Sequence, residues 1–310
     1  MVLSPDGTLL ALFAGNSREP AQDRYAQVFT LSRRDGEIRR LTDFNASYDR
    51  RPMPMGVSWS PDGTRLAFYA AEHEMAADPA NWELELLTVS LDGRCMKLAD
   101  KCYRARNFGA AIEFGPQWSP DGRTIYFVAN YEHPRDREAP ALTYSIAPTG
   151  GVPVKMCPGT PTAVTPDGRH LYASGRLRNG EAINLRVDLR TGEQTRLGED
   201  WRHARVSLSG RYVACFPLGG GINIFSVEGQ PLATIKPEAL YGVVSTNTVW
   251  VMQERQATED SVGGSPQSSS DTTSNGSTRR PWIVLVLMLA IIAALVAIWC
   301  LRRGRTPSTP

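Results

Sequence analysis

Cysteine and histidine are scarce in this chain, which has five cysteines and four histidines among its 310 residues. The cysteines include no C-x-x-C pair, so neither a zinc site nor a framework of disulfide bonds is indicated. The histidines are His73, His133, His170 and His203. They stand singly, without paired carboxylates at metal-ligand spacing, and we expect them at the surface. We therefore predict no metal ion and no cofactor.

One pair of cysteines leaves two alternatives open. Cys95 and Cys102 lie close together in the sequence and could form a disulfide bond in an oxidising compartment. The alternative is a pair of unbonded, buried thiols. Cys215 lies in an apolar run that resembles a strand, and we expect it in the core.

The chain also lacks the G-x-S-x-G motif, which places a nucleophilic serine on a strand-to-helix turn in serine hydrolases. Such enzymes need an α/β domain that supplies the aspartate and histidine of the triad. The sequence after Met252 is a polar tether and an apolar run, which leaves no room for that domain. We therefore predict that the chain is not an enzyme.

Charge of one sign does not dominate, since 34 lysines and arginines stand against 32 aspartates and glutamates. Five of the basic and three of the acidic residues lie beyond residue 256, which leaves 29 of each sign in residues 1–256. A neutral domain has no overall attraction for nucleic acid. We therefore expect no nucleic-acid partner.

A four-residue motif, Ser or Thr followed by Pro-Asp-Gly, occurs four times in the first 170 residues. A type I turn favours Ser at its first position, Pro at its second and Gly at its fourth. An apolar, β-prone run follows each copy, so each copy is predicted to be the turn of a β-hairpin. The predicted turn residues are Pro5, Asp6, Gly7, Pro61, Asp62, Gly63, Pro120, Asp121, Gly122, Pro166, Asp167 and Gly168.

A second hairpin follows each first one, at residues 26–43, 84–100, 143–157 and 183–197. Two hairpins make a four-stranded antiparallel sheet, and such sheets arranged radially are the blades of a β-propeller. Residues 206–235 keep the pattern without Pro and Asp, and residues 241–252 match the first half of a further blade. We therefore predict an all-β propeller of about six blades over residues 1–256, the first and last blades being incomplete.

The repeats also resemble a known family. Trp-Ser-Pro-Asp-Gly, followed by two polar residues and an apolar strand, occurs at residues 59–69 and 118–128. This pattern resembles the PD40 (WD40-like) repeat of the TolB propeller, which also occurs in the propeller domains of prolyl oligopeptidase-type enzymes. The resemblance covers residues 1–256 and implies a propeller that holds partners and performs no chemistry. The N-terminal domain of TolB has no counterpart in this chain.

The composition changes after the repeats. Residues 257–281 are dominated by Ser, Thr, Gly and Asp and predict a disordered tether. Residues 282–301 contain no charge, and a helix of this length spans about 30 Å, which matches the hydrocarbon core of a bilayer. Because arginines flank both ends, we favour a single-pass transmembrane helix at 282–301 over a buried core helix. Residues 302–310 form a short basic tail.

The side of the membrane on which the propeller lies stays open. Two arginines precede the apolar run and three follow it, a difference too small for the positive-inside rule. No segment resembling a signal peptide precedes the first turn, which favours a tail-anchored protein with a cytosolic propeller. The first strand, at residues 2–3, is unusually short, however, so we expect Met1 to be internal to a longer reading frame. On that expectation the propeller is extracytoplasmic.

Two insertions, at residues 72–82 and 131–140, separate the first and second hairpins of blades 2 and 3. Insertions at this position project from the same face of neighbouring blades, so we predict that they form the surface that contacts a partner. Trp82 and Tyr131 are candidate aromatic anchors. The predicted partner surface contains Glu72, His73, Trp82, Tyr131 and His133.

Repeat, tether and anchor together predict a membrane-anchored, non-catalytic propeller that holds a protein or peptide partner at the membrane surface. Two alternatives remain open at this stage. The chain could be a remnant or accessory propeller of a prolyl oligopeptidase-type serine peptidase, or it could be a sensory ectodomain.

Overall fold

A computed structural model of the chain describes nine stretches of it. These stretches lie in the first of two compact units, Met1–Met252 and Gln253–Pro310. The described residues are 1–15, 26–44, 52–72, 84–99, 115–132, 139–177, 179–207, 209–217 and 221–236.

The described residues form five four-stranded antiparallel sheets, and in each sheet the strands follow one another in chain order. A short 3₁₀ helix, Glu199–Trp201, lies between the fourth and fifth sheets. Blades 1 and 2 consist of β1 (Val2–Leu3), β2 (Leu9–Gly15), β3 (Ala26–Ser32), β4 (Ile38–Arg40), β5 (Pro52–Trp59), β6 (Arg65–Glu72), β7 (Leu84–Ser90) and β8 (Cys95–Ala99). Blades 3 to 5 consist of β9 (Gln117–Trp118), β10 (Ile125–Ala129), β11 (Leu142–Ile146), β12 (Val154–Pro158), β13 (Thr160–Val164), β14 (His170–Arg176), β15 (Ala182–Asp188), β16 (Gln194–Leu197), β17 (Arg205–Val206), β18 (Tyr212–Cys215), β19 (Ile222–Ser226) and β20 (Pro231–Ile235).

This architecture confirms the predicted all-β propeller of four-stranded blades. Five blades are seen where about six were predicted. The residues predicted to begin the sixth, 241–252, lie outside the described residues, as do the predicted tether, membrane helix and basic tail. The short first strand is not peculiar to blade 1, because β9 and β17 are also two residues long.

The core is a series of interfaces between consecutive blades. Alternate residues of a strand point to opposite faces of its sheet, so each blade packs on both neighbours. In β6, Leu66 and Phe68 pack against blade 1, whereas Ala67 and Tyr69 pack against blade 3. All four side chains are fully buried, and each large one contributes about 1.5–3 kcal/mol of hydrophobic stabilisation.

Blade 1 differs from the other blades on the side that points away from blade 2. In blades 2 to 5, the residues three and five positions after the turn glycine are 0–1% exposed. The equivalent residues of blade 1, Leu10 and Leu12, are partly exposed, as are their strand partners Leu31 and Phe29. Blade 1 therefore has an apolar face that is more exposed to solvent than the interfaces between the described blades.

The antiparallel order gives the propeller two distinct faces. In every blade, the turn from the first to the second strand and the turn from the third to the fourth lie at one edge, which we call the turn face. The connections from the second to the third strand, and the links between blades, lie at the opposite edge, which we call the loop face. The repeated Pro-Asp-Gly motifs therefore belong to the turn face, and the predicted insertions belong to the loop face.

Candidate functional site

The turn between β1 and β2 is closed by hydrogen bonds around Ser4. The Ser4 N–H donates to the carbonyl of Leu9 at 2.8 Å, and the Gly7 N–H donates to the carbonyl of Ser4 at 2.9 Å. The Ser4 hydroxyl donates to Asp6 Oδ1 at 2.6 Å and accepts from the Leu9 N–H at 2.9 Å. The Thr8 N–H donates to the same carboxylate at 3.1 Å. Asp6 therefore joins the residues on both sides of the turn.

The same pattern recurs in the later blades. Ser60, Ser119 and Thr165 each donate a hydroxyl hydrogen bond to the aspartate two residues further on. In blade 5, which lacks Asp, the Ser209 hydroxyl accepts from the Arg211 N–H at 3.3 Å, and the turn still closes. The fifth copy thus folds like the others because a hydroxyl can replace a carboxylate as acceptor.

These hydrogen bonds favour the ionised form of the turn aspartates. The Ser4 hydroxyl, assisted by Thr8, lowers the pKa of Asp6 from 3.8 to about 2. The equivalent hydroxyls of Ser60, Ser119 and Thr165 lower the pKa values of the other three turn aspartates. At neutral pH these carboxylates are acceptors inside the turns and have no proton to donate.

Successive turns contact each other along the turn face. Each turn glycine lies against the proline ring of the preceding blade and has a φ between 68° and 73°, where a Cβ is unfavourable. The exception is Gly7, whose carbonyl accepts from Arg33 Nη1 at 2.8 Å. The distances from an added glycine Cβ to the nearest proline atom are 3.8 Å for Gly63 and Pro5, 3.8 Å for Gly122 and Pro61, 3.7 Å for Gly168 and Pro120, and 3.2 Å for Gly210 and Pro166.

The structure describes part of the predicted partner surface. Glu72 is the last residue of β6, where it pairs with Pro52. His73, Trp82 and His133 lie outside the described residues, so this surface stays a prediction.

Tyr131 and Glu132 form contacts where the blade 3 insertion begins. The Tyr131 ring meets the Tyr144 ring edge-on, with 5.0 Å between centroids, and it packs on the core between blades 2 and 3. Glu132 accepts a hydrogen bond from Lys155 Nζ at 2.7 Å. Tyr131 is half-buried, so part of the proposed anchor already supports the fold.

The two described histidines are partly buried, which differs from the surface positions predicted for them. His203 adopts a left-handed backbone conformation with φ 54°, and its backbone N–H donates to Ser174 Oγ at 3.1 Å. Burial, reinforced by Arg202 and Arg205, lowers the pKa of His203 to about 4. Burial also lowers the pKa of His170. Both imidazoles therefore favour the neutral form at pH 7.

The described residues hold no group of three or more His, Cys, Asp or Glu side chains placed to bind a metal ion. Cys157 and Cys215 are buried, as expected for Cys215. Burial raises the pKa of Cys157 to about 11, so it is a protonated thiol at neutral pH. Cys102, which would pair with Cys95 in one of the two alternatives, lies outside the described residues.

A polar position near the start of each third strand was not identified from the sequence. In blade 3, the Thr143 hydroxyl donates to the carbonyl of Gly159 at 2.7 Å. In blade 4, Asn184 Nδ2 donates to the carbonyl of Gly198 at 3.0 Å. In blade 1, Gln27 Oε1 accepts from the Thr42 hydroxyl at 2.7 Å. Each side chain ties the third strand to the segment that leads towards the next blade.

Within the described stretches, no helix has the length and apolar character needed to cross a bilayer.

Comparison with known proteins identifies the fold alone. No known protein family matches the sequence, and no curated protein matches it. Among solved structures, the chain is similar to TolB from Acinetobacter baumannii, with 17% identity over 74% of this chain and a TM-score of 0.52. It is similar to a putative TolB from Agrobacterium tumefaciens, with 19% identity over 75% of this chain and a TM-score of 0.50. It is also similar to the tricorn protease, with 11% identity over 76% of this chain and a TM-score of 0.52.

The matched proteins are longer than the matched region. The chain covers 53% of the Acinetobacter protein, 78% of the Agrobacterium protein and 26% of the tricorn protease. The similarity therefore establishes a TolB-type β-propeller fold and leaves the activity to be argued from the residues.

Proposed function

We propose that the chain is a non-catalytic propeller module that holds a protein or peptide partner at a membrane surface. The observation that carries this proposal is the contrast between the two faces. On the turn face, five short turns share one hydrogen-bonding pattern. On the loop face, the connections differ from blade to blade, and variable loops on a rigid scaffold are the usual place for binding residues.

The base of the two insertions supports a binding role. Strands β6 and β7 stay paired up to Ala71 and Leu84, so the blade 2 insertion starts from the end of an intact hairpin. Blade 3 braces its own insertion through Tyr131 and Glu132. The two blades share one buried core, so both insertions start from one rigid platform. Such a platform reduces the loss of conformational entropy when a partner binds.

A loop exchange tests the partner surface. Blade 4 closes the equivalent connection with a tight turn, in which the Gly180 N–H donates to Leu177 and the Leu177 N–H donates to Glu181. Replacing residues 73–83 by the sequence of this turn removes the insertion and keeps the hairpin. We expect the exchange to abolish site-specific cross-linking of the partner in intact cells, detected by mass spectrometry.

The matched control replaces residues 16–25, which form the equivalent connection of blade 1, by the same turn. Circular dichroism of both variants checks the fold. The proposal requires the control to retain the cross-linked partner. If both variants retain the cross-linked partner, the partner binds elsewhere.

The membrane part of the proposal is supported by the uncharged run at residues 282–301 and the polar tether before it. Deleting 282–301 should move the protein from the membrane pellet to the soluble fraction after ultracentrifugation. Protease treatment of intact cells then reports the side on which the propeller lies. Retention of the deletion variant in the pellet, after a carbonate wash, would contradict the anchor.

A second candidate function is that of an accessory propeller for a protease. It is favoured by the similarity to the tricorn protease, of which this chain covers 26%. Co-purification of a peptidase activity with the full chain would support this candidate over a simple binding module.

A further inference from the structure

A groove of about 320 Å³ opens on the turn face between blades 2 and 3, away from the loop-face insertions. One wall carries the turn of blade 2, and the other carries the turn of blade 3 and the β11–β12 turn. Its lining residues include Asp62, Arg65, Trp118, Arg123 and Thr149.

The groove contains two arginines whose guanidinium groups form no direct contact with a described carboxylate, although Arg65 lies near Asp62 and Arg123 near Asp121. Arg65 and Arg123 are exposed, and neither guanidinium forms a hydrogen bond or an ion pair with any described residue. The carboxylates of both turns accept within their own turns through Oδ1: Asp62 Oδ1 accepts from Ser60 and Thr64. Asp121, on the same turn as Arg123, accepts from the Ser119 hydroxyl and from the Arg123 backbone N–H. The guanidinium donors are therefore available to a ligand.

The third feature of the groove is an unsatisfied indole. Trp118 is 9% exposed, and its buried Nε1–H has no acceptor among the described residues. The equivalent residue of blade 2, Trp59, donates its Nε1–H to the carbonyl of Val2 at 3.0 Å. Buried donors are usually paired, so the Trp118 indole keeps an unused hydrogen-bonding capacity.

These three features coincide at one junction among the four that the described blades form. The equivalent residues are Leu9, Trp59 and Thr64 between blades 1 and 2, Thr124, Val164 and Arg169 between blades 3 and 4, and His170, Val206 and Arg211 between blades 4 and 5. Two arginines and a tryptophan therefore meet between blades 2 and 3 and at no other described junction.

We propose that this groove binds a carboxylate group carried by a peptide. Arg65 and Arg123 supply charge-assisted hydrogen bonds in the planar geometry that suits a carboxylate. Trp118 lines the same groove, and its unused Nε1–H is assigned as a third donor. Ala147, Pro148 and Thr149 form the wall along which the peptide chain lies. The site is separate from the loop-face insertions and does not depend on the proposed function.

The test is calorimetric titration of the full chain with three acetylated tripeptides. Ac-Ala-Ala-Ala with a free C-terminus offers a terminal carboxylate, Ac-Ala-Glu-Ala amide offers a side-chain carboxylate, and Ac-Ala-Ala-Ala amide offers neither. We expect saturable binding of at least one carboxylate peptide and none of the neutral amide. The peptide that binds identifies the source of the carboxylate. Saturable binding of neither carboxylate peptide overturns the proposal.

Substitutions locate the binding. Arg65→Gln and Arg123→Gln change exposed side chains and should each weaken binding about tenfold. Arg190→Gln, on the turn face of blade 4, should leave it unchanged. Trp118→Phe, checked for folding by circular dichroism, should weaken binding about threefold or more. Unchanged affinity in the Arg65→Gln/Arg123→Gln double variant overturns the proposal, and unchanged affinity in Trp118→Phe overturns the assigned donor. The loop exchange at residues 73–83 should not alter this binding.

Discussion

The hydroxyl that opens each repeat turn has two partners at once. Ser4 donates to Asp6 and accepts from the backbone of Leu9, so one small side chain fixes both the carboxylate and the start of the second strand. Thr165 does the same in blade 4 towards Asp167 and His170. A residue with only a donor or only an acceptor cannot make both bonds, which explains why the position is Ser or Thr.

The lowered pKa values of the turn aspartates predict sensitivity to acid. A carboxylate with a lower pKa in the folded state stabilises the fold above its ordinary pKa of 3.8, and this contribution is lost as pH falls. For Asp6 the loss runs from about pH 4 to about pH 2. We expect the urea midpoint of the chain to fall modestly over this range, because the carboxylate is exposed to solvent. Asp6→Asn should flatten the dependence.

The two equivalent tryptophans give a second prediction. Trp59→Phe removes the hydrogen bond to Val2 and leaves a carbonyl unpaired, whereas Trp118→Phe removes no hydrogen bond within the described chain. The ring volume lost is the same. We therefore expect Trp59→Phe to lower the free energy of unfolding by about 1 kcal/mol more than Trp118→Phe. Equal losses in chemical denaturation would show that the bond to Val2 contributes nothing net.

At the scale of the strand, the links between blades depend on polar side chains buried at the start of the third strand. Thr143 and Asn184 each donate to the carbonyl of a glycine that lies beyond the fourth strand of the same blade. A buried carbonyl without a donor is costly, so these bonds fix where one blade ends and the next begins.

Thr143→Val tests this role because it replaces the hydroxyl by a methyl group of similar size. We expect it to lower the free energy of unfolding by about 1–3 kcal/mol, since the Gly159 carbonyl loses its side-chain donor in a buried site. Thr195→Val, on the exposed outer strand of blade 4, should change stability by less than about 0.5 kcal/mol. A similar effect of both substitutions would contradict the argument.

Sequence and structure agree best where one residue type is required. The Pro-Asp-Gly turns could be predicted because a positive φ favours glycine and a fixed φ favours proline. The polar position of the third strand could not be predicted, because its residue type changes from blade to blade. The five residues share only the capacity to form hydrogen bonds: Gln27, Glu85, Thr143, Asn184 and Asn223. The groove between blades 2 and 3 could not be predicted either, since it depends on side chains from two turns that are distant in sequence.

At the scale of the whole molecule, stability is distributed along a row of blade interfaces. Each interface buries its own cluster of apolar side chains, and blade 1 contributes a second apolar face that is partly exposed. The repeat count inferred from the sequence could not say how well that end face is covered, because coverage depends on packing and not on the motif.

Truncations at equivalent positions measure this difference. Leu66→Ala, at a fully buried site, should lower the free energy of unfolding by about 2–5 kcal/mol. Leu10→Ala, at the partly exposed face of blade 1, should cost less than half as much. Both values come from chemical denaturation of the full chain. A loss of unfolding free energy at Leu10 as large as that at Leu66 would indicate that other residues cover this face. The predicted sixth blade, at residues 241–252, would supply such residues.

The contact of each turn proline with the next turn glycine has a consequence for how such a chain can grow. Four junctions use the same pair of surfaces, a ring on one side and a bare backbone on the other. A blade duplicated in tandem would contact both of its neighbours through this same proline–glycine contact. The number of blades can therefore change by duplication or loss of a whole repeat, without inventing a new contact on this face.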